Sequence, residues 1–487
     1  MSKSKVNIPI VTDLDGTLVL SDTLVESVIR LIVQRPIYII LLPFWILFGR
    51  VAFKKKIAEK VTLDFSLLPY HKNFIKYLSN EKKKGRKLIL ATGAHKSIAS
   101  LIAKQLDLFD CIHATDEVNL TGKKKADLLI EKYGINGFDY AGNSSTDLHV
   151  WQVSRNAIAV NASPSVVKKL RSIACESMDI SFSENKTSYL GRIKSLFKAM
   201  RIKQWVKNCL IFTPLLLSQS YINAESVVQS IVAFIAFSIC ASSVYLLNDL
   251  VDLDSDRQHK YKKFRPFASG ELDLSKGALA SMVAFAIGFI LAYSINELFF
   301  WSLGAYYLTT LFYTFKLKKL ILFDIFTLAI LYTFRLLAGG AAIEINLSNW
   351  LLSFSFFIFL SLGTLKRYVD VDLDNVMELD RKKIMSAGRG YIVADLIPLL
   401  VLGVSSGLIS ILIFLLYVSD PKVLLQYNSP HFLWLVGIAL VYWISNIWFL
   451  ANRNLILEDP VMFVLKEKNS RNTLIVIISM VTLAIYS

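Results

Sequence analysis

Long apolar runs in the second half of the chain constrain its fold more than any other feature. Segments near 207–222, 226–248, 276–295, 298–315, 321–342, 350–367, 393–417, 432–450 and 473–487 approach or reach the roughly 17–25 residues that a helix needs to cross a bilayer. The loops that would share one side, 251–275, 316–319, 366–390 and 450–472, hold 18 Lys and Arg, whereas the opposite loops hold only Lys422. Such alternation is the positive-inside signature, so nine spans are predicted, with the N-terminus inside and the C-terminus outside. An all-α integral membrane bundle over 206–487 follows.

Residues 1 to about 205 are of another kind, charged and mixed α/β in pattern, so the chain of 487 residues divides into two domains near 185–205. The formal charge of +16 would suggest nucleic acid in a soluble protein. Here the basic residues of the second half sit mostly in short loops, which reads as topology, and no nucleic-acid partner is expected. Cys111, Cys175, Cys209 and Cys240 form no CxxC pair or metal-ligand spacing. The apolar stretch Val6 to Val11 is too short for a signal peptide, so the N-terminal domain is expected in the cytoplasm and the protein in the inner (cytoplasmic) membrane. A shorter run, Pro36 to Phe48, is flanked by Arg35, Arg50 and Lys54 to Lys56. It cannot span, and reads equally as an interfacial or re-entrant helix on the membrane or as a buried helix of the soluble cap. Between 184 and 205, Arg192, Lys194, Lys198, Arg201 and Lys203 suit a juxtamembrane helix on an anionic surface.

In the first domain, the apolar run Asn7 to Thr12 ends in Asp13-Leu14-Asp15-Gly16-Thr17-Leu18, which puts two carboxylates on the loop leaving a strand. Lys87 to Ala91 ends at Thr92-Gly93, and Phe138 to Ala141 ends at Gly142-Asn143-Ser144. These loops are expected to meet at the carboxyl edge of one parallel sheet, where open α/β folds place their sites. Phosphoryl transfer through an aspartyl phosphate requires a carboxylate nucleophile, a neighbouring carboxyl to protonate the leaving oxygen, Mg²⁺, and hydroxyl and ammonium groups for the phosphoryl oxygens.

Over roughly residues 5–180 the DxDGT motif resembles the haloacid dehalogenase (HAD) phosphatases. The resemblance implies a Rossmannoid α/β domain over 1–183 with a helical cap at about 19–86. It implies Asp13 as nucleophile, Asp15 as general acid/base, and Thr92 and Lys125 as phosphate-binding groups. Mg²⁺ would be held by Asp13 and the Asp15 carbonyl, with Asn143 and Asp147 of the third loop completing the site. The family's GDxxxD reads Gly142-Asn143-Ser144-Ser145-Thr146-Asp147 here, so Asn143 offers an oxygen without charge and a weaker hold on Mg²⁺.

In the membrane domain, Asn248, Asp252 and Asp256 of Asn248-Asp249-Leu250-Val251-Asp252-Leu253-Asp254-Ser255-Asp256 fall one helical turn apart and share a face. Stacked carboxylates repel one another unless a cation lies between them, and hard oxygen ligands suit Mg²⁺, which grips a diphosphate. Asp370 and Asp374 repeat the spacing near the end of the sixth span. Arg257, Arg265, Tyr313, Lys318, Asp324 and Arg335 lie in loops or span ends expected on the same side.

The NDxxDxxxD motif, the later DxxxD and the span count resemble the UbiA prenyltransferase superfamily. Arg201 to Asn208 (RIKQWVKN), Arg265 to Gly270, the Tyr313, Lys318 and Asp324 spacing, Arg335 with Gly339-Gly340, and Lys366-Arg367-Tyr368 look like the decaprenyl-phosphate phosphoribosyltransferases within it. The resemblance implies transfer of a 5-phosphoribosyl group from phosphoribosyl diphosphate to a polyprenyl phosphate. Asn248, Asp252 and Asp256 would hold Mg²⁺ and diphosphate, helped by Asp249 and by Asp370 with Asp374, while Lys207, Arg257, Arg265, Lys318, Lys366 and Arg367 would bind phosphates. An aromatic prenyltransferase using polyprenyl diphosphate keeps the same fold, and a lipid-binding or transport protein is the other class that the pattern admits. The oligomeric state is left open.

Overall fold

The structure is a computed structural model that describes residues 8–173, 180–182, 189–376, 390–424, 427–456 and 460–487. Two compact units emerge, and they do not follow chain order. One unites Met1–Ala199 with Leu246–Leu279, and the other unites Met200–Tyr245 with Ala280–Ser487.

Among the described residues, the first unit is built on six parallel strands, β1 (Ile10–Thr12), β2 (Leu88–His95), β3 (Cys111–Thr115), β4 (Asp139–Gly142), β5 (Ala157–Val160) and β6 (Ile180–Phe182), in the order β3-β2-β1-β4-β5-β6. Val11 lies in register with both Ile89 and Tyr140. Successive residues point to opposite faces, and both faces are covered. Ile10, Leu88 and Leu90 pack with Leu14, Phe74 and Ile98, while Val11, Ile89 and Ala91 pack with Leu129, Tyr140 and Trp151. Each fully buried Ile or Leu of this kind contributes about 2 kcal/mol, which explains why the strands read as continuous apolar runs. Chain order reverses at β1, between β2 and β4, so the loops leaving β1 and β4 diverge and open a crevice at the carboxyl edge. β2 continues beyond its expected end at Ala91 to His95, with a register shift between Thr92 and His95.

Three cap helices follow β1: α1 (Thr23–Gln34), α2 (Tyr38–Leu47) and α3 (Arg50–Lys60). Asp22 starts α1 by accepting the Leu24 and Val25 amides at 2.8 and 3.1 Å, which satisfies two otherwise unpaired donors. The buried face of α1 is mostly polar, with Thr23, Glu26, Ser27 and Arg30 beside Leu31. Helix Lys72–Lys83, inside the expected cap, instead buries Phe74 and Leu78 in the core of the sheet.

Among the described residues, seven helices are long and apolar enough to cross a membrane: Ala224–Val251, Leu274–Ile295, Phe323–Ala342, Asn349–Asp372, Val393–Val418, His431–Asn452 and Lys468–Tyr486. Glu297–Phe315 is a further helix of 19 residues, less apolar because it carries three Tyr and three Thr. The predicted first span at 207–222 is not one helix. It is a 3-10 segment, Ile202–Phe212, followed by the short helix Thr213–Leu217 and a 3-10 turn, Ser220–Ile222. Packing accounts for the first of these: a Cβ at Gly339 would lie 2.2 Å from the Ile211 carbonyl oxygen, so glycine allows the 3-10 backbone to lie directly on helix Phe323–Ala342.

Candidate functional site

At the β1/β4 switch point a cavity of about 570 Å³ opens, lined by Asp13, Asp15, Lys54, Lys125 and Asn143 among others. The Lys125 ammonium donates to Asp13 Oδ1 at 2.9 Å and to the Tyr140 hydroxyl at 3.0 Å. Asp15 Oδ1 accepts the Thr23 amide at 2.7 Å, so the start of α1 holds this carboxyl in place. Burial pushes Asp13 up to about 6 against the pull of Lys125. Burial, with Asp22 and Asp13 adding repulsion, pushes Asp15 up to about 7. A carboxyl protonated near neutrality beside an ionisable one is the arrangement an acid and a nucleophile need.

The expected partners divide. Asp13, Asp15, Lys125 and Asn143 reach the cavity, whereas Thr92 and Asp147 do not line it. Thr92 is fully buried, and its hydroxyl accepts the Ala94 amide at 3.0 Å; the backbone of Gly93 and Ala94 takes its place at the wall. Asp147 spends Oδ2 on the Asn143 and Ser144 amides and the Ser144 hydroxyl, and Oδ1 on the Tyr140 hydroxyl at 2.7 Å. It therefore shapes the loop that presents Asn143. The oxygens of Asp13, Asp15 and Asn143 suit a hard cation such as Mg²⁺.

The acidic motif in 246–279 belongs to the same unit. Helix Ala224–Val251 breaks at Asp252, yet the Asp252 amide still donates to the Asn248 carbonyl at 2.9 Å and the Asp256 amide to the Asp252 carbonyl at 2.8 Å. The one-turn spacing thus survives. Arg265 Nη1 bridges Asp249 at 3.1 Å and Asp256 at 2.7 Å. Asp254 pairs with Arg30 of α1, and Arg257 clasps Glu26 through two bonds of 2.5 and 3.1 Å, with both side chains buried. Arg257, an expected phosphate ligand, is consequently engaged within the protein. No three His, Cys, Asp or Glu side chains converge on a metal-sized point among the described residues. All the donors of the motif are oxygens, as a hard cation requires.

In the second unit, Arg367 is fully buried and binds Asp324 through Nε, Asp370 through Nη1 at 2.8 Å and the Tyr313 hydroxyl at 3.1 Å. Tyr391 completes this group by donating to Asp324 at 2.6 Å. Arg335 Nε donates to Asn208 Oδ1 at 2.9 Å and lies within 5.5 Å of the Phe237, Tyr306 and Tyr332 rings. Lys207 is buried, 5.9 Å from the Tyr332 ring; Lys318 and Lys366 are half-buried. The Asp374 side chain lies outside the described residues. Sequence reasoning passes over Glu26, Arg30 and Tyr391, and names Asn208 only within the RIKQWVKN run. For the first two a signal existed, since charges at a four-residue spacing on the core-facing side of a helix require partners.

Apolar helices of spanning length, joined in one chain to a doubly wound sheet with a carboxylate-lined cavity, define a multi-pass membrane protein with an α/β unit. The chain belongs to the UbiA prenyltransferase family, which it matches over residues 210–466. An uncharacterized protein y4nM of Sinorhizobium fredii is 32% identical over 466 residues, 95% of this chain and 88% of that one. A decaprenyl-phosphate phosphoribosyltransferase of Corynebacterium glutamicum is 33% identical over 180 residues, 36% of this chain and 54% of that enzyme. Among solved structures, a UbiA homolog from Archaeoglobus fulgidus bound to GPP and Mg²⁺ aligns with a TM-score of 0.45 and 14% identity, covering 59% of this chain and 99% of that one. A HAD family hydrolase from Salmonella enterica aligns with a TM-score of 0.24 and 16% identity, covering 34% of this chain and 65% of that one.

Proposed function

We infer that the chain performs two successive reactions on a polyprenyl lipid at the cytoplasmic face of the membrane. In the first, an oxygen of polyprenyl phosphate bonds to ribose C1 of phosphoribosyl diphosphate as the bond from C1 to diphosphate breaks. The nucleophile is already an anion, so positioning and charge neutralisation supply the acceleration and no strong base is needed. Mg²⁺ held by Asn248, Asp252 and Asp256 would neutralise the departing diphosphate. Asp249 assists them, Lys207, Arg265, Lys318 and Lys366 hold phosphates, and Arg367 orders Asp370. The observation that carries this reading is the 33% identity to a decaprenyl-phosphate phosphoribosyltransferase.

In the second reaction Asp13 attacks the 5-phosphate that the new lipid carries. Asp15 protonates the departing ribose oxygen, and a water then releases phosphate from the aspartyl phosphate with Asp15 as base. Lys125 neutralises the nucleophile's loop and the phosphoryl oxygens. The pair of raised carboxyls beside a buried lysine supports this assignment.

Membranes given labelled phosphoribosyl diphosphate and polyprenyl phosphate should yield labelled lipid and free diphosphate. Membranes given 4-hydroxybenzoate and polyprenyl diphosphate should yield no prenylated ring; the reverse outcome would establish an aromatic prenyltransferase. An Asp13→Asn chain should accumulate the 5-phosphorylated lipid, and equal amounts in both chains would separate the two reactions.

A further inference from the structure

The cap carries an apolar surface that neither reaction uses. In α2 and its flanks, Ile37, Ile40, Phe44, Ile46, Leu47 and Phe48 are each 58–82% exposed. Leu42 alone is buried there, packed with Leu31 of α1 and Ile57 of α3. A helix bare on every side but one, in a protein that spans a membrane, points to a nonaqueous neighbour.

Three observations identify that neighbour. Arg35 and Arg50 flank the apolar helix, and α3 continues with Lys55 and Lys56, a cationic collar suited to anionic headgroups. The Lys56 ammonium lies 4.1 Å from the Phe48 ring centre, at the junction where the apolar segment gives way to charge. Leu274 and Lys276, at the start of the apolar helix Leu274–Ile295, wall the same cavity as Asp13. Gly270 brings that wall against the cap: its φ is +76°, and a Cβ there would lie 2.9 Å from Leu20 Cβ. The cavity is therefore continuous with the start of a spanning helix on one side and with the cap on the other.

We propose that α2 is inserted into the anionic leaflet of the bilayer, so that α3 holds Lys54 over a phosphatase cavity facing the lipid surface. Lys54 ties the anchor to the cavity, donating to the Gly93 carbonyl at 2.6 Å and to Asn119 Oδ1 at 2.7 Å. A phosphomonoester carried on a membrane lipid enters such a site without leaving the bilayer, whereas a soluble ester gains nothing from the anchor.

The test places nitroxide labels at Ile40→Cys and Leu47→Cys, with Ile135→Cys, an exposed turn residue, as reference. The full chain, its four native cysteines replaced by alanine, is reconstituted in vesicles of phosphatidylcholine and phosphatidylglycerol. Power saturation should show labels 40 and 47 several-fold more accessible to oxygen than to a water-soluble nickel chelate, and label 135 the reverse. Equal nickel access at all three sites overturns the proposal, as does shielding of 40 and 47 from both reagents, which would mean that protein covers α2. A second consequence rests on the phosphatase reading. An Ile40→Asp/Leu47→Asp chain should hydrolyse a lipid-borne phosphomonoester at least tenfold more slowly, with p-nitrophenyl phosphate hydrolysis unchanged. Absence of any phosphomonoester turnover by the native chain would refute the phosphatase reading, while the labels decide the insertion.

Discussion

The cavity beside β1 and the acidic loop after Asn248 both concentrate carboxylates, but they handle the charge in opposite ways. In the cavity, Asp13 faces one cation, Lys125, Asp15 is met by a backbone amide, and both open into a space large enough for a ligand. In the loop, arginine meets carboxylate repeatedly: Arg265 with Asp249 and Asp256, Arg30 with Asp254, Arg257 with Glu26. The cavity carries two carboxyls raised by burial. In the loop, Asp249 and Asp256 are already paired with Arg265, and Asp254 with Arg30 of the cap. The proposed reactions account for the contrast, since a covalent nucleophile must stay accessible whereas a diphosphate grip can be stored as ion pairs.

The largest expected effect breaks the cavity alone. Asp13→Asn removes the proposed nucleophile and should lower phosphomonoesterase kcat by at least ~10³-fold, with phosphoribosyl transfer retained in the same preparation. Next, Arg257→Ala leaves the buried Glu26 carboxylate with the Ser21 hydroxyl but without its two guanidinium bonds, and should cost about 3–5 kcal/mol of stability, read as a lowered unfolding midpoint in detergent. Adding Glu26→Gln to that variant should recover part of the loss, and no recovery would deny that the pair acts as a unit. Asp256→Asn tests the loop's chemistry and should reduce transfer kcat/KM by roughly 100-fold, with phosphatase turnover close to native. The smallest change sharpens the cavity: Asn143→Asp adds a charged donor and should lower the Mg²⁺ concentration for half-maximal hydrolysis several-fold.

Much of this is legible in the sequence. The alternation of strand and polar loop placed Asp13, Asp15 and Asn143 on one sheet edge, and the order of the strands brings their loops together as expected. Thr92 misled because a strand was expected to end where the chain turned polar. Pairing with β3 instead carries β2 through to His95 and turns the hydroxyl inward. Asp147 misled because its spacing is also that of a loop-capping carboxylate, a use that only its four hydrogen bonds reveal. Residues 207–222 looked like a span by apolarity alone, yet the close approach allowed by Gly339 accommodates a 3-10 backbone there.

By itself the sequence determined the membrane-spanning class, the parallel sheet and the residue types of both acidic sites, because hydrophobic period, loop charge and motif spacing are local properties of a chain. Only the tertiary structure decided who neutralises whom. That Glu26 and Arg30 of the cap meet Arg257 and Asp254, more than two hundred residues away, depends on the loop 246–279 packing within the same unit as the sheet. The cost of leaving a buried charge unpaired selects those partners, and no local pattern records it.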